Sequence, residues 1–287
     1  MTVDICGIEL AHPVINGSGT FDAIAARRVF GDSLDENFPF AAFVSKTITL
    51  EPRLGNPPPR LFETAAGLIN SIGLPNRGLA GYLEHDLPQL ATLPVPLITN
   101  VMGSNADEVG QLFDALEGRD EIAAIELNVS CPNVKTGLDI GSDPGELTKL
   151  LVAVRSKTSK PLIVKLTPNT ANVALVATAA EAAGADAVSL INTLRAFAAD
   201  PARPGKAWLG GGTGGQSGPA IRAVALAQTA AVAAAVELPI IAMGGISSAA
   251  NGRQFLDAGA HLIAVGTESF RDPGCAAAVR DGLARAV

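Results

Sequence analysis

The chain has 287 residues, of which 48% are hydrophobic and 17% are charged, and its formal net charge is −7 at pH 7. This composition allows a large core and argues against nucleic acid as a partner, because phosphate contacts need clusters of basic side chains. The three cysteines, Cys6, Cys131 and Cys275, are odd in number and widely spaced, so we expect free thiols in a reducing compartment. Three thiolates are also too few to hold an iron–sulfur cluster.

No segment of the chain is predicted to enter a membrane. Met1–His12 contains Asp4 and Glu9 and lacks a long apolar core, which is not typical of a signal peptide. The longest apolar stretch, Ala220–Met243, is interrupted by charged, amide and proline residues and predicts a surface helix followed by a buried strand. We therefore expect a cytoplasmic protein without a membrane anchor.

Short apolar runs recur along the chain, each followed by a small or polar residue, which is typical of buried strands. The eight runs are Pro13–Asn16, Ala41–Ser45, Pro96–Val101, Ala123–Val129, Pro161–Leu166, Ala185–Ile191, Pro239–Met243 and His261–Val265. Helical patterns lie between most of them. One predicted helix begins at the cap residue Asp143 and has apolar residues on one face from Leu147 to Val154. Another, Asn172–Ala183, ends at Gly184.

The repeated strand–helix units predict a parallel sheet, because a crossover helix usually connects parallel strands. Eight units in a chain of this length predict an α/β fold, the (β/α)8 barrel. No polar or Pro-rich linker is present, which indicates one domain over 1–287. Val3–Leu10 is predicted to form a hairpin that plugs the bottom of the barrel. The competing fold, a doubly wound sheet, normally has a Gly-rich fingerprint after its first strand, and Asn16–Thr20 lacks that spacing.

Two long insertions break the regular spacing of strands and helices. Leu50–Tyr82 follows the second predicted strand and Asn192–Gly218 follows the sixth. Both are expected at the carboxyl-terminal face, where barrel enzymes have their active sites. Loops of this length in a compact domain usually have a function.

Polar or small residues end every predicted strand, and in a barrel all of these ends meet at one mouth. These residues are Ser18 and Gly19, Ser45 to Thr47, Asn100, Asn128 and Cys131, Lys165, Asn192 and Thr193, Gly244 and Gly245, and Gly266 and Thr267. The glycines of the last two strand ends allow backbone N–H groups to approach a phosphate. A phosphate there fits FMN or a phosphosugar substrate, and the alternative is that the glycines only serve tight turns.

Lysines and asparagines at the strand ends indicate a planar, anionic ligand. Lys46 and Lys165 lie in apolar surroundings, where a buried ammonium needs an anion. A substrate carboxylate or a reduced flavin would supply it, and a salt bridge to Glu126 is the alternative. The amides of Asn70, Asn128 and Asn192 each donate and accept hydrogen bonds, although a loop asparagine such as Asn70 is most often a turn former.

Cys131 lies in the run Glu126–Asn133, just past the end of a predicted buried strand. An isolated free cysteine is usually a small buried hydrophobe. This octet, however, resembles the segment of class 1 dihydroorotate dehydrogenases in which a cysteine is the general base. The membrane-associated class 2 enzymes use serine there.

Further stretches resemble the same family over nearly the whole chain. They are Gly17–Phe21, Ser45–Arg53, Gly55–Arg60, Leu68–Asn76, Ser189–Thr193, Gly214–Ile221 and Met243–Ile246. The pattern around Glu51–Arg60 is most similar to subclass 1B, which works with an electron-transfer subunit. Two departures from the family pattern are Gln216 and the stretch Leu194–Leu209, which put partner contacts and fine substrate choice in doubt.

The resemblance implies a flavin enzyme that oxidises dihydroorotate to orotate in pyrimidine synthesis. It implies Cys131, Lys46 and Lys165 as catalytic residues. The implied FMN contacts are Ser18, Lys46, Thr47, Asn100, Asn128, Lys165, Ile191, Gly218, Gly244, Gly245, Gly266 and Thr267. The implied orotate contacts are Lys46, Asn70, Ser71, Ile72, Gly73, Leu74, Asn128, Asn192 and Thr193. It also implies a homodimer with a partner subunit that carries FAD and a 2Fe–2S cluster.

Other functions remain open from the residues alone. A related flavin enzyme acting on uracil-type rings and a non-redox phosphate-binding barrel are the alternatives. The electron acceptor is also open between NAD through a partner, fumarate and an artificial oxidant. The three histidines, His12, His85 and His261, have no ligand spacing, so no metal site is expected. Gly210–Gly215 matches a dinucleotide fingerprint in letters only, because no strand leads into it.

Overall fold

The computed structural model describes residues 2–130 and 140–285. The strands are β1 (Val3–Ile5), β2 (Ile8–Leu10), β3 (Val14–Asn16), β4 (Phe43–Val44), β5 (Leu61–Thr64), β6 (Gly67–Asn70), β7 (Leu97–Val101), β8 (Ile122–Asn128), β9 (Leu162–Lys165), β10 (Ala187–Leu190), β11 (Leu194–Ala196), β12 (Gly214–Ser217), β13 (Ile240–Met243) and β14 (Leu262–Val265). The α-helices are α1 (Ala23–Phe30), α2 (Asp32–Glu36), α3 (Gly78–Gly81), α4 (Leu87–Leu90), α5 (Ala106–Glu117), α6 (Pro144–Val154), α7 (Val173–Ala182), α8 (Arg222–Ala233), α9 (Ala249–Asp257) and α10 (Cys275–Arg285).

Eight parallel strands form one sheet in the order β3-β14-β13-β10-β9-β8-β7-β4. Each predicted apolar run overlaps one of these strands, so the predicted (β/α)8 barrel is confirmed and the doubly wound alternative is wrong. The predicted helices are present as α6 and α7, capped by the side chains of Asp143 and Asn172. Among the described residues, no helix has both the length and the apolar character needed to cross a membrane.

The barrel closes between β3 and β4 through the side chain of Asn16 and one backbone hydrogen bond. Asn16 Nδ2 donates to the carbonyl of Val44, and Asn16 Oδ1 accepts the N–H of Val44, both at 2.8 Å. The N–H of Ala41 also donates to the carbonyl of Val14 at 2.9 Å. One buried amide therefore satisfies both backbone groups of Val44, which would otherwise lack partners in a dry seam.

Side chains of alternate residues fill the barrel interior, as the period of two along a strand requires. The interior cluster consists of Ile15, Ala41, Ala42, Val44, Ile98, Ala124, Ile163, Ala187, Ile241, Met243, Leu262 and Ala264, together with Ile5 and Leu10 of the hairpin. The predicted hairpin is β1 paired with β2. Its Cys6 Sγ donates to the carbonyl of Asp186 at 3.3 Å, just before β10. The hairpin therefore lies at the amino-terminal end of the barrel, as predicted.

The two long insertions meet in a second sheet that the sequence did not predict. Its strands pair antiparallel in the order β11-β12-β6-β5, so each insertion supplies two strands. Ile69, Ala198 and Leu209 form a small core on this sheet, and Phe62 packs edge to face with Trp208 at 6.2 Å between ring centroids. The divergent stretch Leu194–Leu209 thus contributes one strand and part of this core.

His12 gives folding a dependence on pH. Its Nδ1 accepts the N–H of Val14 at 3.3 Å, and burial, followed by the charge of Arg280, lowers the pKa of His12 from 6.5 to about 4. Because the folded-state pKa lies below the unfolded value, this contribution is complete above pH 6.5 and is lost as the pH falls towards 4. The side chain is partly exposed, so we expect a loss of about 1 kcal/mol in the free energy of unfolding.

Urea unfolding at several pH values between 6.5 and 4 measures this contribution. His12→Gln cannot take up the proton and is expected to show a flatter dependence on pH than the unmodified chain. Equal slopes for the two proteins would contradict the assignment.

Candidate active site

The first two strand ends are joined by hydroxyl groups. Ser18 Oγ donates to the carbonyl of Ser45 at 2.8 Å and lies 3.4 Å from Thr47 Oγ1. Ser45 Oγ in turn accepts the backbone N–H of Asn100 at 3.0 Å. The predicted positions Ser18, Thr47 and Asn100 are therefore brought together at one side of the mouth.

The two lysines differ in exposure, and neither forms an ion pair with a described carboxylate. Lys46 is exposed, whereas Lys165 is only 6% exposed. No ion pair joins either of them to Glu126 or to any other acid in the described residues. The salt-bridge alternative is thus wrong for Glu126. A buried ammonium without an anion is costly, so Lys165 is suited to an anionic ligand.

A polar layer of four side chains lies above the apolar interior, and it consists of Asn100, Glu126, Lys165 and Ser189. Each follows an interior residue of its strand by two positions: Ile98, Ala124, Ile163 and Ala187. Glu126 accepts from Asn100 Nδ2 through Oε2 and from Ser189 Oγ through Oε1 at 2.6 Å. The opposite atom of the amide, Asn100 Oδ1, is buried without a hydrogen-bond partner among the described residues.

The amide groups predicted to bind substrate lie around the end of β8. Asn192 Nδ2 donates to Ser130 Oγ at 3.0 Å and lies 3.5 Å from Asn128 Oδ1. The Nδ2 of Asn70 donates to the carbonyl of Gly215 at 3.3 Å, because β6 pairs with β12 there. The second sheet therefore brings Asn70 of one insertion beside residues of the other.

A cavity of about 220 Å³ opens beside these amides. It is lined by Ser130, Thr167, Asn169, Asn192, Thr193, Arg195, Thr213, Gly214 and Gly215. Asn192 and Thr193 were predicted to contact substrate, whereas Lys46, Asn128 and Asn70 to Leu74 are not part of this lining. Thr167 and Asn169 were missed, although they follow β9 as the other polar residues follow their strands.

The loop Ser71–Leu74, predicted to contact substrate, packs against the start of the first insertion. Asn56 Nδ2 donates to Ser71 Oγ at 2.9 Å, and the N–H of Asn56 donates to the carbonyl of Ile72 at 3.0 Å. Gly73 lies so close to Asn56 that a Cβ on it would be 2.5 Å from the Asn56 nitrogen. These contacts hold the loop in one conformation next to Asn70.

The last predicted group forms a glycine-rich cradle, which we define as Gly218, Gly244, Gly245, Gly266 and Thr267. A Cβ added to Gly245 would lie 2.7 Å from the carbonyl oxygen of Gly218, and one added to Gly218 would lie 3.5 Å from Thr267 Cγ2. The backbone N–H groups of Gly244, Gly245, Gly266 and Thr267 donate to no other described residue. Backbone N–H groups without partners at neighbouring strand ends are suited to a phosphate. Ile191, another predicted contact, is buried, and its N–H donates to the carbonyl of Met243 at 3.0 Å.

The predicted base, Cys131, lies outside the described residues. The chain on either side of 131–139 is described, and its ends lie together because the N–H of Gly141 donates to the carbonyl of Val129 at 2.9 Å. Ser130, which precedes Cys131 in the chain, lines the cavity. Burial raises the pKa of both other thiols, Cys6 and Cys275, to about 11, which makes them poor thiolates at neutral pH.

The described residues fit a phosphorylated flavin. The cradle offers N–H groups to a phosphate, Lys165 offers a cation without a counter-ion, and Asn100 Oδ1 offers an acceptor without a donor. Among the same residues, no cluster of His, Cys, Asp and Glu could hold a metal ion.

A family model described as dihydroorotate dehydrogenase matches residues 1–287. The chain belongs to the dihydroorotate dehydrogenase family. One relative, from Geotalea uraniireducens, is 42% identical over 99% of this chain and 92% of its own length. Others, from Citrifermentans bemidjiense and Desulforudis audaxviator, are 44% and 45% identical over 96% and 98% of this chain, and 89% and 90% of their own lengths. All three are named dihydroorotate dehydrogenase B (NAD(+)), catalytic subunit.

Family membership confirms the resemblance to subclass 1B that the sequence motifs indicated. It also confirms the predicted reaction class, oxidation of dihydroorotate, and the predicted cofactor, FMN.

Proposed function

We propose that this chain oxidises dihydroorotate to orotate on FMN held at the mouth of the barrel. The main support for this proposal is that the glycine cradle, the buried Lys165 without an anion and the polar cavity all lie at the same mouth of the barrel. A non-redox phosphate-binding barrel would account for the cradle, whereas membership of the dihydroorotate dehydrogenase family favours a flavin beside Lys165 and the unpaired Asn100 oxygen. The chain acts as one domain over 1–287 and is expected to work in the cytoplasm.

The cradle would hold the phosphate of FMN, while Ser18, Thr47, Asn100 and Lys165 would contact the rest of the cofactor. Bound FMN supplies the hydride acceptor. Lys165 would stabilise the negative charge that the ring carries after reduction, since its ammonium is buried and has no competing carboxylate. Burial strengthens this interaction because the local dielectric constant is low.

The substrate would be held by Lys46 through its carboxylate and by Asn70, Asn128, Asn192 and Thr193 through its ring amides. Cys131 would accept the C5 proton of dihydroorotate, and the hydride would leave from C6, so that the C5–C6 bond becomes the double bond of orotate. Holding the substrate ring at near-attack distance from the flavin lowers the activation barrier of the hydride transfer. In favourable cases this reduction is on the order of 7 kcal/mol.

The carboxylate of the substrate distinguishes this function from a reductase for uracil-type rings. Orotate is expected to perturb the absorbance spectrum of the FMN-loaded chain at a concentration roughly 10- to 100-fold below that needed for uracil, because a charge-assisted hydrogen bond to Lys46 is worth about 1.5–3 kcal/mol. Lys46→Gln should weaken orotate binding and leave uracil binding nearly unchanged. Tighter binding of uracil than of orotate would favour the alternative.

We also propose that electrons leave through a partner subunit. Relatives of this chain are named catalytic subunits of an NAD(+) enzyme, and Gly210–Gly215, the one stretch resembling a dinucleotide fingerprint, lies in the second insertion and not after a barrel strand. The partner would carry FAD and a 2Fe–2S cluster and would join a homodimer of this chain.

The purified chain is expected to reduce NAD slowly with dihydroorotate, and artificial acceptors should restore turnover without the partner. Addition of the electron-transfer subunit should accelerate NAD reduction. Absorbance of NADH formed per enzyme measures both rates. Rapid NAD reduction by the single chain would refute the partner proposal and leave the flavin site unaffected.

A further inference from the structure

Glu126 is a buried carboxylate for which the proposed reaction has no use. It is 2% exposed and forms no ion pair with a described lysine or arginine. Its two oxygens accept from Asn100 Nδ2 and Ser189 Oγ instead. Burial of an acid without a cation costs folding free energy, so its position directly below the mouth needs an explanation.

The carboxylate fixes which way the Asn100 amide faces. The amide donates through its Nδ2 to Glu126 Oε2, so its Oδ1 faces away from Glu126. The backbone of Asn100 is fixed as well, because its N–H donates to Ser45 Oγ at 3.0 Å. The result is a buried amide oxygen without a partner among the described residues, and only a hydrogen-bond donor can satisfy it.

Ser189 binds the carboxylate of Glu126 and lies on β10, on the opposite side of the Lys165 strand from Glu126. In the sheet, β9 lies between β8 and β10, and Ser189 is the register partner of Lys165. The bond from Ser189 Oγ to Glu126 Oε1 therefore crosses from β10 to β8 past the strand that carries Lys165. Glu126 is thus held in place without forming an ion pair with Lys165.

We propose that Glu126 is a positioning residue for the cofactor, which orients Asn100 so that its Oδ1 accepts a hydrogen bond from the ring N3–H of FMN. This inference rests on the proposed FMN site. The oxidised isoalloxazine ring has one N–H group, N3–H, so it supplies the donor that the orphaned oxygen requires. Glu126 touches neither cofactor nor substrate and acts only through Asn100.

The test compares the dissociation constants of FMN and its N3-methyl analogue, measured by quenching of flavin fluorescence. The unmodified chain is expected to bind the analogue at least ~10-fold more weakly, because the buried oxygen of Asn100 then lacks a donor. In Glu126→Gln the side-chain amide can donate to Asn100 Oδ1, which lets the Asn100 amide turn over. That variant should bind FMN at least ~10-fold more weakly and distinguish the two flavins by less than about 3-fold.

Glu117→Gln is the matched control. Its carboxylate also accepts hydrogen bonds from two side chains, here the hydroxyl groups of Thr158 and Ser159. These residues precede β9, so the control lies at the opposite end of the barrel. It should keep the affinity and the discrimination of the unmodified chain.

The outcomes separate this inference from the proposed function. If FMN binds and dihydroorotate reduces it, while Glu126→Gln retains both affinity and discrimination, the positioning role is overturned and the function stands. Should Glu126→Gln not fold, equal affinity of the unmodified chain for the two flavins would still overturn the role. A folded chain that binds no FMN would overturn both.

Discussion

Replacing Cys131 with alanine is expected to leave FMN bound and to slow its reduction by dihydroorotate by roughly 10²- to 10⁴-fold, the usual contribution of a positioned acid–base group. The alanine cannot take up the C5 proton, so only the slow uncatalysed loss of that proton remains. Cys131→Ser should retain part of the activity, shifted to higher pH, because a hydroxyl is the weaker acid. Anaerobic stopped-flow recording of flavin absorbance measures all three rates.

Cys6→Ala is the control for this experiment. Burial raises the pKa of the Cys6 thiol to about 11, and the residue lies in the hairpin at the amino-terminal end of the barrel, so its loss should not change the rate. A wild-type rate of flavin reduction in Cys131→Ala would show that another group is the base.

Replacing Gly245 with alanine is expected to weaken FMN binding by roughly 10²-fold. Gly245 has a φ of +74°, and a Cβ there would lie 2.7 Å from the carbonyl oxygen of Gly218. The backbone must therefore shift, and loss of one hydrogen bond to a charged phosphate costs about 1.5–3 kcal/mol. Titration of the apo chain with FMN, followed by fluorescence, measures the affinity.

Gly7→Ala is the control that distinguishes the effect of backbone strain on FMN affinity from the effect of a change in the cradle. Gly7 has a similar φ of +80°, but a Cβ there would meet nothing within 4 Å, and it lies in the distant hairpin. This variant should lose a little stability and none of its FMN affinity. Equal affinities for Gly245→Ala and Gly7→Ala would mean that the cradle does not bind the cofactor.

The barrel could be predicted because its signal is local. Each strand is a short apolar run followed by a small or polar residue, and the predicted run Ala123–Val129 agrees with β8 (Ile122–Asn128) to within one residue at each end. The convergence of Ser18, Thr47 and Asn100 followed from topology alone, since all carboxyl ends of parallel strands meet at one face. The cradle was predicted in the same way, from Gly244 and Gly245 after β13 and from Gly266 and Thr267 after β14.

The second sheet could not be predicted because its pairing is long-range. Asn70 and Gly215 are register partners across two insertions, and the short strands β5, β6, β11 and β12 contain glycine and polar residues with no strict alternation. Which residue of the first insertion pairs with which of the second depends on how the barrel places their ends.

The role of Glu126 was also missed, although a signal was present. An acid two residues after Ala124, on the interior face of a buried strand, contradicts the apolar pattern and indicates a special site. What the sequence could not tell is its partner: Ser189 is 63 positions further along the chain. The hydrogen bonds between Asn16 and Val44 that close the barrel were missed for the same reason, since Val44 lies 28 positions away.

Mixing the FMN-loaded chain with dihydroorotate, in the absence of oxygen and of any partner, isolates the reduction of the flavin. The oxidised-flavin absorbance is expected to disappear in a single turnover, with about one orotate formed for each flavin, because this half-reaction needs only the mouth of this barrel. A chain that binds FMN but stays yellow, with no orotate formed, would contradict the proposed function.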